Sequence, residues 1–284
     1  MEGNMNQTQN PLAGYFRQPA IYIQLPSDGK YYPEGTLEIS ENNEYPVLPM
    51  TAMDEISYRT PDALYNGQAV VSVIESCIPN IKNAWVAPAC DIDTLLIGIR
   101  IATYGHELDL GVKCPKCGND EERTLDLRQA LDQLESPDYS DPIVKGDLEI
   151  FLQPMTYKNL NENNAIQFEE QKVIQMLPNT EIDEQDKIDR MNQALEKITK
   201  MTVHALAQNI IAIKTPDATV TDTNHIEDFL NNTDRDFFNL IRDTITERKR
   251  KSELKPVSIE CSECNHTYQQ GYTMDMTNFS GAAS

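Results

Sequence analysis

Alternating apolar and polar positions near the start of the chain predict short strands, and a run with helical spacing follows them. The alternation predicts a strand at residues 21–25, a second at 36–39 and an extended segment at 45–50. Thr51, followed three positions later by Asp54, has the spacing of a capping box and begins the first predicted helix. The pattern therefore predicts strands followed by helices.

Two further helices are predicted before the first cysteine pair. Apolar residues recur at helical spacing over residues 68–77 and 92–104. Asp91 precedes the second of these helices as a candidate N-cap, and Gly105 follows it as the expected C′ residue. A strand at residues 106–112 then leads into the cysteines.

The pattern restarts in the second half of the chain. Residues 148–156 echo the apolar pattern of residues 37–39 and the Pro-Met-Thr of residues 47–51, and a predicted helix follows each copy. Helical spacing then predicts helices at 157–177, 184–213 and 234–251. The apolar stripe of the helix at 184–213 consists of Ile188, Met191, Leu195, Ile198 and Met201.

The repeated order predicts an α+β fold with two similar halves, as expected from an internal duplication. Each half is expected to have short strands and a helical layer, and a four-cysteine module like a zinc ribbon joins the halves. The predicted parts are an N-terminal extended arm at 1–20, a first half with the first cysteine knuckle at 21–135, a linker at 136–142, a second half with a helical insertion and the second knuckle at 143–276, and a C-terminal tail at 277–284.

Two Cys-x-x-Cys pairs carry the clearest candidate chemistry. Cys114 and Cys117 form the first pair, and Cys261 and Cys264 form the second, 144 positions further along the chain. Each pair lies between two strand-like stretches. Two thiolates on one tight turn supply half of a tetrahedral Cys₄ site, so the four sulfurs predict one shared structural zinc ion.

Other roles for this region stay open on sequence grounds. The cysteines are alternatively a disulfide or redox pair, although Pro115 and Gly118 favour a turn over the helix start of a thioredoxin-like motif. His106 and His266 lie near the two pairs in sequence and are alternative ligands.

The formal net charge of −21 over 284 residues narrows the class of partner. Nucleic-acid backbones and anionic membranes are bound through Lys and Arg, so no nucleic-acid or membrane partner is expected. The acidity serves solubility or attracts a basic protein. The one basic run, at residues 248–251, ends a predicted helix, where cations complement the helix dipole or contact an acidic neighbour.

No motif in the sequence assembles catalytic groups. The four histidines are scattered, and no Gly-rich phosphate loop, GxSxG or HExxH occurs. Cys77 and Cys90 lie on or near apolar segments and are predicted to be buried and inert. The sequence has no apolar run of about 18 residues and no signal peptide, so we expect no membrane span and a reducing compartment. We expect neither enzymatic activity nor a cofactor other than zinc.

Six short motifs in the first half of the chain form a recognisable group. They are LPSDGKYYPEG at 25–35, PMTAMDE at 49–55, LYNG at 64–67, SCI at 76–78, LIGIRIATYG at 96–105 and CPKCG at 114–118. Together they resemble the opening of the T4-type bacteriophage baseplate hub and hub-assembly family. The resemblance covers about residues 21–130.

The resemblance implies a non-enzymatic component or assembly factor of the central hub of a contractile phage tail. It implies other baseplate hub and tail proteins as partners, and a place in the virion tail after assembly in the bacterial host cytoplasm. The segment 1–20, with Leu12, Tyr15 and Phe16, is then expected to become ordered on a partner. The alternatives are a zinc-ribbon nucleic-acid-associated factor, a zinc hydrolase or redox protein, and a tail assembly chaperone absent from the mature virion.

Overall fold

A computed structural model describes residues 11–58, 67–179 and 182–274 of the chain. The first half of the predicted arm and the predicted C-terminal tail lie outside these described residues.

The first strands form a small antiparallel pair. Strand β1 (Ile21–Ile23) pairs with β2 (Tyr45–Val47), with Ile21 opposite Val47. The strand predicted at 36–39 is wrong, since only Leu37 forms a bridge, to Ile81. Ile81 directly follows the turn at Pro79 and is not part of an extended segment. The bridge from Leu37 therefore cannot extend into a longer pair of strands.

Three helices follow this pair of strands: α1 (Ala52–Tyr58), α2 (Gln68–Cys77) and α3 (Ala89–Tyr104). The predicted capping box is present. The Thr51 backbone N–H donates to Asp54 Oδ2 at 2.7 Å, and the Asp54 N–H donates back to Thr51 Oγ1 at 3.2 Å. These two reciprocal bonds satisfy backbone donors at the start of α1.

The N-cap predicted at Asp91 is wrong, because α3 already begins at Ala89. The Asp91 carboxylate is fully buried and accepts hydrogen bonds from the Ser27 backbone N–H at 2.8 Å and the Ser27 hydroxyl at 2.6 Å. Asp91 therefore orders a distant turn instead of capping its own helix. Gly105 ends α3 as predicted, with its N–H donating to the Ile101 carbonyl.

The first core lies between these strands and helices. Gly98 of α3 faces β1, and a Cβ there would come within 3.0 Å of the Ile23 side chain. The missing side chain lets the strand and the helix approach closely. The largest fully buried side chains of this core are Tyr45, Ile74, Ile78, Ile81, Leu95, Ile97, Ile99, Leu108 and Leu127.

Two antiparallel hairpins carry the cysteine pairs. The first consists of β3 (Glu107–Lys113) and β4 (Asp120–Asp126), followed by the short helix α4 (Leu127–Asp132). The second consists of β9 (Val257–Glu260) and β10 (Thr267–Gln270). Both hairpins lie where the sequence predicts strands.

The second part of the chain contains a four-stranded antiparallel sheet covered by helices. The sheet order is β5 (Ile143–Lys145), β6 (Leu148–Leu152), β7 (Ile210–Lys214) and β8 (Thr219–Val220). The helices are α5 (Tyr157–Met176), α6 (Glu184–Gln208), α7 (Thr223–Asn232) and α8 (Arg235–Arg250).

The predicted end of α6 is wrong by five residues. The helix stops at Gln208, and residues 210–214 pair with β6 instead of continuing it. Ile210, Ile211 and Ile213 are β-branched, and a strand accommodates such residues better than a helix does. Ile210 and Ile213 are buried beneath the helices, together with Tyr139, Ile150, Leu206, Ile226 and Ile241.

The mixture of helices and strands agrees with the predicted α+β class, but the structure does not show the duplication. The two echoing segments differ, because residues 36–39 form one isolated bridge while the later echo includes the five-residue strand β6. Tyr157 at the start of α5 belongs to the first core, where its ring stacks on Trp85 with centroids 5.7 Å apart. The proposed domain limits stay a prediction.

Candidate metal centre

The turn of the first hairpin shapes one half of a sulfur cluster. The Gly118 N–H donates to the Cys114 carbonyl at 2.9 Å, and the Cys114 N–H donates to the Asn119 carbonyl at 2.9 Å. Gly118 has φ of 75°, in the left-handed region that glycine adopts without steric cost. The turn therefore holds Cys114 and Cys117 on the same side of the hairpin end.

The turn of the second hairpin has the same hydrogen bonds at equivalent positions. The Asn265 N–H donates to the Cys261 carbonyl at 3.0 Å, and the Cys261 N–H donates to the His266 carbonyl at 3.0 Å. Asn265 has φ of 50° and takes the place of Gly118. Asparagine is among the residues that tolerate this conformation best after glycine. The two cysteine knuckles are thus alike in backbone geometry.

The knuckles face one another and bring all four predicted sulfurs together. Cys114 Sγ lies 3.8 Å from Cys264 Sγ, and Cys117 Sγ lies 3.6 Å from Cys261 Sγ. All four sulfur atoms lie within 4.8 Å of one another. A tetrahedral site with metal–sulfur bonds of about 2.3 Å requires sulfurs about 3.8 Å apart. The cluster therefore has the size of a Cys₄ site that can hold one metal ion.

The two knuckles are also joined by polar side chains beside the sulfurs. Ser262, inside the second Cys-x-x-Cys, donates its hydroxyl to Glu121 Oε2 at 2.7 Å. Arg123 donates to the same Glu121 oxygen at 3.1 Å and to the Glu260 carbonyl at 2.6 Å. The Ser262 hydroxyl, with Arg123, lowers the pKa of Glu121. These three residues were not predicted from the sequence, and their only signal is their position next to a cysteine pair.

The sulfurs differ in exposure and in proton affinity. Cys114 and Cys261 are buried, Cys264 is half-buried and Cys117 is exposed. A backbone N–H at Cys117 hydrogen-bonds to Cys114 and lowers the pKa of the Cys114 thiol to about 7. Desolvation and hydrogen bonds among the sulfurs raise the pKa of Cys117 and that of Cys264, so metal binding, which requires thiolates, would release protons.

The alternative ligands and the remaining cysteines lie outside the cluster. The metal-type cluster found among the described residues contains neither His106 nor His266, and the His266 ring stacks against Tyr268. Cys77 and Cys90 are buried, as predicted. Burial raises the pKa of Cys77 to about 12 and raises that of Cys90 as well. Such thiols are poor nucleophiles.

The basic run at the end of α8 packs against the segment predicted as a linker. Arg248 donates to the Asp141 carbonyl at 2.5 Å, and its guanidinium lies 5.7 Å from the centre of the Tyr139 ring. Lys249 pairs with Glu253 at 3.3 Å. The run therefore does have an acidic neighbour, and it also ends a helix where cations are favourable.

A family model described as "T4 bacteriophage base plate protein" matches residues 22–279. The chain belongs to this family. The matched segment includes both cysteine knuckles. No curated protein and no solved structure matches the chain significantly.

Family membership makes the chain a phage baseplate protein, which implies a location in the virion tail. This agrees with the resemblance seen in the short motifs of the first half. In the three described stretches of the chain, no helix has both the length and the apolarity needed to cross a membrane.

Proposed function

We propose that this protein is a non-catalytic component or assembly factor of the baseplate hub, that it acts by binding other hub and tail proteins, and that Cys114, Cys117, Cys261 and Cys264 hold one structural zinc ion. The observation that carries the proposal is the family match over nearly the whole chain. The cysteine cluster supports the structural role, because four protein ligands leave a tetrahedral zinc ion no open position for water or substrate.

Zinc is the metal that this donor set favours. Four thiolates in tetrahedral arrangement select zinc or an iron–sulfur centre among biological metals. A single ion fits sulfurs 3.6–3.8 Å apart. The ion would tie together two hairpins that are 144 positions apart in sequence, so its binding energy would act on the whole fold.

The partner-binding surface is proposed at the described part of the N-terminal arm. Arg17 anchors this segment by donating to the Pro49 carbonyl at 2.7 Å, to Asp54 at 3.1 Å and to the Ser76 carbonyl at 2.6 Å. The residues that precede the anchor include large apolar side chains. Leu12, Tyr15 and Phe16 are 62%, 86% and 57% exposed.

Helix α1 lies beside the anchored segment, since Asp54 on this helix contacts Arg17. Met53 and Ile56 of α1 are 68% and 62% exposed. Five large apolar side chains close to one anchored segment exceed the scattered exposure that is usual for a monomer. We call Leu12, Tyr15, Phe16, Met53 and Ile56 the arm surface. Its partner is expected to present an apolar pocket with a basic rim, because the chain carries a net charge of −21.

Deletion of residues 2–16 tests the arm, because it removes the exposed aromatic residues and retains the Arg17 anchor. We expect the shortened protein to fold and to keep its metal but to fail to support hub assembly and infectious particles in a complementation assay. A narrower variant, Tyr15→Ala with Phe16→Ala, should give the same defect.

The matched control is Val144→Ala, which removes an apolar side chain that is 61% exposed on β5 in the second core. It should leave particle yield unchanged. A full yield of infectious particles from the deletion would contradict a binding role for the arm.

A tail assembly chaperone absent from the mature virion remains the second candidate. Quantitative mass spectrometry of purified virions distinguishes the two. Detection of the chain at a fixed ratio to tail proteins indicates a virion component, and its absence despite a requirement for assembly indicates a chaperone. The nucleic-acid-associated alternative is disfavoured by the acidic charge, and salt-sensitive binding to DNA would revive it.

A further inference from the structure

Helices α3, α5, α6 and α8 surround a cavity of about 480 Å³. Its inner wall includes the buried residues Ile92 of α3, Leu206 of α6 and Ile245 of α8. The exposed residues Asn164 and Gln167 of α5 also line it, so the cavity opens to solvent. A cavity of this size is typical of a site that binds a small ligand.

Asp93 of α3 brings a carboxylate without a partner to this cavity. In the described stretches of the chain, its side chain makes no hydrogen bond and no ion pair. The cation that also lines the cavity, Lys249, pairs with Glu253 at 3.3 Å instead. Burial and the charge of Glu253 raise the pKa of Asp93 to about 6, and Lys249 offsets only part of that rise. Above this pH, the three charged groups that line the cavity leave one negative charge uncompensated.

Two buried asparagines add acceptor atoms to the cavity. Asn163 and Asn209 are each 6% exposed, and both line it. Asn209 Nδ2 donates to the Ala205 carbonyl at 2.8 Å, and a carbonyl only accepts, so the amide nitrogen must be the atom that faces it. Asn209 Oδ1 is thereby left as an acceptor that no group of the described residues donates to.

A hydrogen-bonded chain of side chains orients the Asn163 amide in the same way. His204 Nδ1 donates to Glu227 of α7, because a carboxylate only accepts, and the other nitrogen of the neutral imidazole then accepts from Gln208 Nε2 at 2.8 Å. Gln208 Oε1 accepts in turn from Asn163 Nδ2 at 2.9 Å. Asn163 Oδ1 is therefore the end of this chain, and no donor among the described residues reaches it.

The three acceptor groups define the chemistry of a ligand. A carboxylate and two amide oxygens offer it no hydrogen, so the ligand must donate, and the uncompensated charge favours a cation. Buried amide oxygens are rarely left without a donor in folded proteins. The side chains of Met155, Leu160 and Met201 line other parts of the wall and suit an alkyl chain. A bare metal ion would leave most of this volume empty, since even a water molecule takes only about 30 Å³.

We propose that this cavity binds an organic cation, an ammonium or guanidinium group on a short alkyl chain, with Asp93, Asn163 and Asn209 as its acceptors. The cation belongs to a free amine or to a lysine or arginine side chain of another protein, since the donor chemistry is the same. The site is separate from the arm surface and from the metal centre. The proposal does not depend on the baseplate role.

Butylguanidine is the probe that tests the site, and butylurea is its neutral isostere. In the full-length, metal-loaded chain, ¹³C-methyl methionine places reporters in the cavity at Met155 and Met201 and on the arm surface at Met53. At about pH 7.5, where Asp93 is ionised, butylguanidine should shift the NMR signals of Met155 and Met201 but not that of Met53. It should bind at least about tenfold more tightly than butylurea.

Two variants remove the acceptors one at a time. Asp93→Asn removes the charge and keeps the size, and it should weaken butylguanidine binding at least about tenfold. Asn163→Leu removes the amide oxygen at similar volume and should weaken binding as well. The matched control is Asp243→Asn, an exposed acid of α8 that does not line the cavity, and it should bind as the wild type does. Circular dichroism of each variant checks that the fold is retained.

A blocked arginine, N-acetylarginine methylamide, distinguishes the two sources of the cation. If it binds as tightly as butylguanidine, a protein side chain can enter the cavity while its backbone stays outside. If only butylguanidine binds, the ligand is a free amine. Either result supports the site.

Four results would overturn the proposal. The first two are unchanged Met155 and Met201 signals with every probe, and binding of butylurea as tight as that of butylguanidine. The third is binding that Asp93→Asn does not weaken. The fourth is displacement of butylguanidine by calcium chloride, since the site would then hold an inorganic cation.

Discussion

Asp91 illustrates how one buried residue organises a distant segment of the chain. Its carboxylate accepts from the Ser27 backbone N–H and hydroxyl and from the Tyr32 hydroxyl at 3.0 Å, so it fixes the turn between β1 and β2. Burial raises the pKa of Asp91 to about 6, and the hydrogen bonds from Ser27 and Tyr32 offset part of that rise. Ionisation of the Asp91 carboxyl group therefore destabilises the folded state relative to the unfolded state.

This pKa predicts the sign of a pH effect on stability. Because the folded chain binds the Asp91 proton more tightly than the unfolded chain does, this group stabilises the fold fully below about pH 4, and its contribution is lost as the pH rises through about 6. The unfolding free energy of the wild type, minus that of Asp91→Asn, should fall by about 3 kcal/mol between pH 4 and pH 7.

Urea titrations of both proteins at matched metal loading measure this difference, and subtraction removes the pH dependence of metal binding that both proteins share. Parallel stability curves for the two proteins would show that Asp91 does not titrate differently on folding.

Gly118 supplies a second prediction at the residue scale. A Cβ there meets nothing within 4 Å, so any cost of substitution comes from its left-handed backbone. We expect Gly118→Ala to destabilise the metal-bound protein by about 1–2 kcal/mol. Gly118→Asn should cost less, because Asn265 holds the equivalent position in the second knuckle.

Gly111→Ala in β3 is the matched control, because Gly111 also has open space around it but its φ lies outside the left-handed region. This substitution should destabilise the metal-bound protein by well under about 1 kcal/mol. Thermal unfolding and competition with a zinc chelator measure the effect. Equal effects of the Ala substitutions at Gly118 and Gly111 would contradict the backbone explanation.

Elements with a strong local signal could be predicted from the sequence, and those that depend on tertiary contacts could not. Helix α2 was predicted with its observed bounds and strand β3 within one residue, because apolar spacing and turn residues determine them locally. Strands β5 and β8 and helix α7 were not predicted. The first two have only three and two residues, and they are held by pairing within the sheet rather than by propensity.

The metal centre shows the same division between features set by local sequence and features set by tertiary contacts. Its four cysteines could be predicted because metal-ligand spacing is a local signal. The contacts of Glu121 and Arg123 with the second hairpin could not, because they require the two distant knuckles to be brought together first.

At the scale of elements, the two hairpins should depend on each other. Cys261→Ser removes one ligand, and Cys117→Ser removes a ligand from the other hairpin. Because the metal is shared, both variants should lose it and give the same protease-sensitive sites, including cleavage within residues 136–142. That segment is held by Arg248 and by burial of Tyr139 in the second core.

Limited proteolysis with mass mapping reads out these sites, and Ser258→Ala on the exposed face of β9 should leave the wild-type pattern intact. A Cys261→Ser protein that loses only the residues after 255 would show that the second hairpin does not hold the two parts of the chain together.

At the scale of the whole molecule, helix α5 from the second part of the chain contributes Tyr157 to the first core, and the paired knuckles bring two distant hairpins together. Family membership makes the chain a baseplate protein, which implies that it binds other phage tail or baseplate proteins. We propose above all that one metal ion, shared by hairpins whose cysteine pairs are 144 positions apart, stabilises this arrangement.

Native mass spectrometry of the full chain, purified without added zinc, tests that claim most directly. The account predicts one zinc ion per chain, lost in both Cys117→Ser and Cys261→Ser, with X-ray absorption giving four sulfur ligands at about 2.3 Å. A folded chain with reduced thiols and no metal, or one with two ions, would contradict it.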